Sequence, residues 1–155
     1  YIGSVDDREL EEIRRRKLQK LFRKVKYGGG GELSVRIVIP VEEVGLDGRL
    51  AMHFGRAPYF AVIDLSPDGR VLNQQTVPNE SEHFGGVGRP PDRILSLKPN
   101  VVITYGMGPR ALSIFQAARV AVLRADADTV REVIEGYMED RLQELTEGCH
   151  HARHR

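Results

Sequence analysis

The sequence predicts an α/β domain of three layers, a mixed five-stranded sheet flanked by helices, preceded by an N-terminal helix. Three observations lead there. Two alternating, β-branched runs, Pro58 to Leu65 and Arg70 to Val77, are joined by the turn Pro67-Asp68-Gly69 and read as an antiparallel hairpin. Two short apolar runs, Val101 to Thr104 and Val120 to Leu123, read as strands buried on both faces. Helical segments lie between and after those runs, so the later strands join the sheet through crossovers.

From the amino end, Asp6 to Lys26 reads as one helix. Asp6 or Asp7 serves as its N-cap, and acidic residues come early and basic ones late, in agreement with the helix dipole. Leu10, Ile13, Leu18, Leu21, Phe22 and Val25 form an apolar stripe that needs a cover. Gly28-Gly29-Gly30-Gly31 then makes a flexible joint. The expected organisation is a basic amphipathic helix over 1–27, a glycine linker over 28–32, an α/β domain over 33–146 and a tail over 147–155.

Within the domain, Leu33 to Val41 alternates as the first strand, and the hairpin follows. Pro90 and Pro91 suit the first turn of a helix running to about Leu97, which Lys98-Pro99-Asn100 stops. Pro109 to Ala118 is a second helix, and Asp128 to Leu145 is expected as a long amphipathic third. The order is therefore strand, strand, strand, helix, strand, helix, strand, helix.

With 155 residues, 41% of them apolar, the chain can bury a real core. Its 23 basic and 22 acidic side chains nearly cancel, which removes any overall pull toward nucleic acid or anionic lipid. The lone cysteine, Cys149, excludes an internal disulfide framework. No apolar run approaches the roughly 18 residues needed to cross a bilayer, and the charged amino end is unlike a signal peptide. A reducing cytoplasm is the expected compartment.

The chemistry concentrates in loops. His-Phe-Gly occurs twice, at His53-Phe54-Gly55 and at His83-Phe84-Gly85, each offering one soft ligand, one ring and a backbone open to close approach. Gly85-Gly86-Val87-Gly88 precedes one helix and Gly106-Met107-Gly108-Pro109 precedes the next, so both can turn free amides toward an anion. Arg56, Arg89 and Arg110 stand in or beside these loops. A helix end contributes only about 0.3–1 kcal/mol to an anion, so several such contributions must act together. The competing explanation is that the glycines merely permit tight connections. His83 follows Glu80-Ser81-Glu82, and a polar exposed loop explains it adequately. Neither glycine loop has the spacing of a phosphate-binding or dinucleotide-binding motif. In the tail, Cys149, His150 and His151 are further metal-ligand candidates, although they lack the two-pair spacing of a structural zinc site and would lose chain entropy on binding.

The element order matches the ribonuclease H-like architecture. Met52-His53-Phe54-Gly55-Arg56-Ala57-Pro58-Tyr59-Phe60-Ala61-Val62-Ile63-Asp64, then Gly85-Gly86-Val87-Gly88, then Ile103-Thr104-Tyr105-Gly106-Met107-Gly108-Pro109-Arg110-Ala111 resemble the nitrogenase iron-molybdenum cofactor biosynthesis family, of the NifX and NifY type. The resemblance covers about Leu33 to Leu145. It implies a protein that binds or carries an iron-sulfur or iron-molybdenum-type cluster, between donor and acceptor proteins, with His53 at the position of the cofactor-ligand histidine. Together with the loop residues read above, the expected cofactor site comprises His53, Phe54, Gly55, Arg56, Gly85, Gly86, Gly88, Gly106, Gly108 and Arg110. Some relatives have a cysteine where this chain has Ala57, so the folded domain here has no thiolate of its own.

Catalysis is not indicated. A nuclease of this architecture needs carboxylates converging on two metal ions, and neither Val35 to Ile39 nor Val101 to Thr104 contains an acid. No serine sits in a nucleophile elbow, and Cys149 is in the tail. The expectation is a non-enzymatic carrier. The alternative is a regulatory or interaction module that recruits a partner, or a second copy, through the helix Asp6 to Lys26. Nucleic-acid contact by that basic helix ranks below both, because no helix-turn-helix partner or aromatic platform accompanies it.

Overall fold

A computed structural model describes residues 34–79 and 90–146. The expected N-terminal helix, glycine linker and histidine-rich tail lie outside the described residues. The domain contains strands β1 (Val35–Val41), β2 (Tyr59–Leu65), β3 (Val71–Pro78), β4 (Val101–Thr104) and β5 (Ala121–Arg124). Its helices are α1 (Pro90–Ser96), α2 (Pro109–Ala117) and α3 (Val130–Met138), and a 3-10 turn spans Phe54–Arg56. The strands form one mixed sheet in the order β3-β2-β1-β4-β5. β1 is antiparallel to β2 and parallel to β4, β2 is antiparallel to β3, and β4 is parallel to β5. This is the predicted three-layer, ribonuclease H-like arrangement.

Strand alternation divides the core in two. Val35, Ile37, Ile39 and Val41 of β1 share one face with Ala61, Ile63 and Leu65 of β2 and with Val101 and Ile103 of β4. There they pack on Val130, Val133, Ile134 and Tyr137 of α3. Val38, Phe60, Val62, Val102 and Val122 share the other face with Ile94 of α1 and Leu112 and Phe115 of α2. β1 and β4 are covered on both sides, which is why their sequences run almost continuously apolar.

Two expectations need correction. The long helix to Leu145 ends at Met138, because Asp140 turns into a left-handed conformation (φ 60°) and Arg141 N–H donates to the Gly136 carbonyl at 2.9 Å. The chain then runs back along β5, with Arg124 N–H donating to Gln143 O and Leu145 N–H to Val122 O, both at 2.8 Å. The helix starts with a side-chain cap: Thr129 Oγ1 accepts from Glu132 N–H at 3.3 Å and donates to the Glu132 carboxylate at 2.8 Å. Secondly, β5, expected as a strand buried on both faces, is the last strand of the sheet, flanked outside, among the described residues, only by the 143–145 segment, and only Val122 in it is buried.

Tight turns hold the rest. In the bend Gly45-Leu46-Asp47-Gly48, Gly45 takes φ 98° and Gly48 N–H donates to the Gly45 carbonyl at 3.0 Å. A side chain at Gly48 would overlap the Glu43 carbonyl, so this glycine is required by space. Asp64 pairs with Arg36 across β2 and β1, through Nε to Oδ1 at 2.8 Å and Nη2 to Oδ2 at 3.2 Å. Arg36 Nη1 also donates to the Leu97 carbonyl at 2.9 Å, tying the end of α1 to the sheet.

Candidate functional site

Strand register brings the predicted loops to one end of the sheet. Val41, the last residue of β1, pairs with Tyr59 at the start of β2, and Tyr59 pairs with Pro78 at the end of β3. Because β4 runs parallel to β1, its last residue, Thr104, points the same way. The turn before β2, the segment after β3 and the loop after β4 therefore all leave from this end. It is the end where an open α/β sheet offers a crevice beyond the carboxyl ends of its parallel strands.

His53 occupies the N-cap position of the 3-10 turn, and its carbonyl accepts the Arg56 N–H at 3.1 Å. Its imidazole makes no capping bond and is exposed, as is Arg56. Phe54 turns inward and meets Phe115 of α2 edge to face, with centroids 6.4 Å apart. Gly55 lies against Pro90, the first residue of α1: a Cβ there would come 3.7 Å from the proline ring, an ordinary contact. Ala57 is buried.

After β4, Thr104 Oγ1 donates to the Gly106 carbonyl at 3.4 Å. Met107 is buried in the same apolar cluster as Ala57, Leu112 and Phe115, against which Phe54 packs. The His53 turn and the Gly106 to Gly108 loop thus rest on one hydrocarbon floor. Gly108 caps α2 with an extended backbone (φ −67°, ψ 160°), no side chain to bond the helix amides, and open space where a Cβ would stand. Arg110 is exposed in the first turn of α2. Neither Arg56 nor Arg110 forms an ion pair among the described residues.

Of the remaining candidates, His83, Gly85, Gly86, Gly88, Arg89, Cys149, His150 and His151 lie outside the described residues. The residues bracketing the second glycine loop are placed, however. Asn79, which is 3% exposed, donates from Nδ2 to the Ala57 carbonyl at 2.8 Å and from its N–H to the Pro58 carbonyl at 3.0 Å. Pro90, beyond the other end, opens the helix that lies beside the 3-10 turn containing Gly55. Both brackets therefore abut the turn that carries His53.

Sequence reasoning gave no role to Asn79 or to Tyr105. The Tyr105 hydroxyl donates to Asp128 Oδ1 at 2.7 Å, tying the loop after β4 to the segment that leads into α3. Partial burial, then this bond and the Asp128 charge, push its pKa up to about 12 from 10.0. Tyr105 lay within a quoted motif, but its partner is 23 residues away, and nothing local announces such a bond.

Among the described residues, no three His, Cys, Asp or Glu side chains gather to hold a metal ion. His53 is the one histidine there, and there is no cysteine. What the described residues offer is one imidazole, two guanidinium groups, a helix start without a side-chain cap and an apolar floor. Also among the described residues, no helix is long and apolar enough to cross a membrane.

Known proteins are similar to this chain in sequence and fold. An uncharacterised protein of Methanocaldococcus jannaschii is 25% identical over 113 residues, covering 72% of this chain and 92% of that one. An NMR structure of a Thermotoga protein provisionally named for NifB and assigned to the DUF35 family is 26% identical and superposes with a TM-score of 0.59. It covers 74% of this chain and 97% of its own. The apo form of the orange protein from Desulfovibrio gigas has the same fold, with a TM-score of 0.63 at 23% identity, over 76% and 98% of the two chains. The family model described as "Dinitrogenase iron-molybdenum cofactor" matches residues 35–140, the whole sheet with all three helices and every described candidate residue. The chain belongs to the dinitrogenase iron-molybdenum cofactor family.

Proposed function

We propose that this domain binds and passes on an anionic, metal-containing cofactor of the iron-sulfur or iron-molybdenum type, and does no chemistry on it. The observation that carries this reading is the convergence of the His53 turn and the Gly106 to Gly108 loop at one sheet end, over the shared floor of Phe54, Met107 and Phe115. His53 is the metal ligand. A single neutral imidazole binds weakly by itself, which suits cargo that must be released to an acceptor. Arg56 and Arg110 balance the cargo's negative charge, and the first amides of α2 donate hydrogen bonds to its outer atoms. Gly55 and Gly108 keep the approach clear of side chains, and neither is demanded by a positive φ or a close neighbour.

Donor and acceptor proteins for the cofactor are the expected partners, and Gly85, Gly86 and Gly88 are proposed as further cofactor-binding residues. Anaerobic purification of the full chain, followed by metal analysis and visible absorption after loading with an iron-sulfur or iron-molybdenum species, tests the reading. His53→Ala should keep its circular dichroism and lose at least about tenfold in cluster affinity, the equivalent of 1.4 kcal/mol. Equal uptake by wild type and variant would remove His53 as the ligand.

A further inference from the structure

The outer edge of β3 is bare among the described residues: β3 ends the sheet, and β2 is its one described neighbour. Edge strands are ordinarily protected by charges, prolines or bulges. In a chain with 29% charged residues, the run Val71-Leu72-Asn73-Gln74-Gln75-Thr76-Val77 carries no charge, and its proline, Pro78, comes only at the end. Val71 and Leu72 are 44% and 37% exposed, and a bulge at the Asp64/Leu65 register step disturbs only this first part of the strand.

The direction of the backbone groups follows from the register. Asn79 N–H donates to Pro58 O, so alternate residues Val77, Gln75 and Asn73 spend their amides and carbonyls on β2. Gln74 and Thr76 turn theirs outward. Two such edges brought together antiparallel about a two-fold axis at Gln75 would pair Gln74 of each copy with Thr76 of the other, each pair exchanging two backbone bonds. Gln75 then faces its own copy, and Asn73 faces Val77. No like charges meet anywhere along this register, and the amide side chains can bond across it.

We propose that two copies of this chain associate through the outer edges of β3, making one continuous sheet across the dimer. The partner is a second copy because the uncharged run is complementary to itself in this register. The pairing leaves the His53 turn and the Gly106 to Gly108 loop alone, since its hydrogen bonds run along β3 rather than from the sheet end.

The test is the solution mass of the full chain by sedimentation equilibrium at rising concentration. Wild type should reach the dimer mass. Gln75→Lys and Gln75→Glu should each be monomeric, because each sets like charges face to face, and an equimolar mixture of the two should restore the dimer. Gln74→Pro removes an outward amide without touching the β2 ladder, and should also be monomeric with unchanged circular dichroism. A wild type that stays monomeric, charged variants that dimerise like wild type, or a mixture that fails to recover would each overturn the proposal. Association through another surface, such as the N-terminal helix, would show as the second of these results.

Discussion

Phe54 and Phe115 meet edge to face with their ring centroids 6.4 Å apart, and this contact joins the turn that presents His53 to the helix that follows the Gly106 to Gly108 loop. Aromatic pairs of this geometry contribute about 0.5–1.5 kcal/mol beyond the area they bury. Phe54 is only partly buried, so Phe54→Ala should destabilise the domain by about 1–3 kcal/mol, below the range for a fully enclosed ring. Urea denaturation measures that loss. If the turn positions His53, cluster uptake should fall in the variant under conditions where it is still folded.

Asp64 is 8% exposed and its carboxylate holds Arg36 by two bonds. That pairing, the largest influence on Arg36, raises the guanidinium's affinity for its proton. Asp64→Ala leaves a part-buried guanidinium with the Leu97 carbonyl alone, and should cost about 1–3 kcal/mol in a denaturant midpoint measurement. Replacing both partners by apolar residues should recover most of it. A double variant no more stable than Asp64→Ala would show that the pair's charge is not the cause.

Gly108 separates a structural from a binding role. Its extended backbone and the open space at its Cβ position admit a serine, which would cap α2 and stabilise the domain by a few tenths of a kcal/mol. The same hydroxyl would occupy a helix amide that the proposed cargo needs. Gly108→Ser should therefore raise the melting temperature slightly and weaken cluster binding severalfold. Binding equal to wild type would remove the α2 amides from the site.

Tyr105 makes a pH signature. Its phenol is favoured in the neutral form when folded, with a pKa of about 12 against 10.0 for an unperturbed tyrosine, first through burial and then through Asp128. The stabilisation is fully present below pH 10 and is lost as pH rises from there toward 12. Thermal melts across that window should show a steeper decline for wild type than for Tyr105→Phe. Tyr137, raised mainly by burial, declines equally in both proteins and cancels in the comparison.

The sequence by itself determined the order of elements and the two-sided core. The unbroken apolar run of β4 marks it as buried on both faces, but the period of two in the hairpin does not give its burial: β2 is enclosed from Phe60 to Leu65, while β3 is exposed from Val71 to Gln75 because it ends the sheet. The sequence also singled out His53, Phe54 and the glycine loops, because their residue types are unusual beside strands. Tertiary structure alone decided that Phe54 faces inward while His53 does not, that Asn79 fastens the loops together, and that the last helix stops at Met138. It also put β5 at an edge and gave Tyr105 its partner. Each of these rests on contacts between residues distant in the chain, whose free energy outweighs the local propensities that a sequence displays.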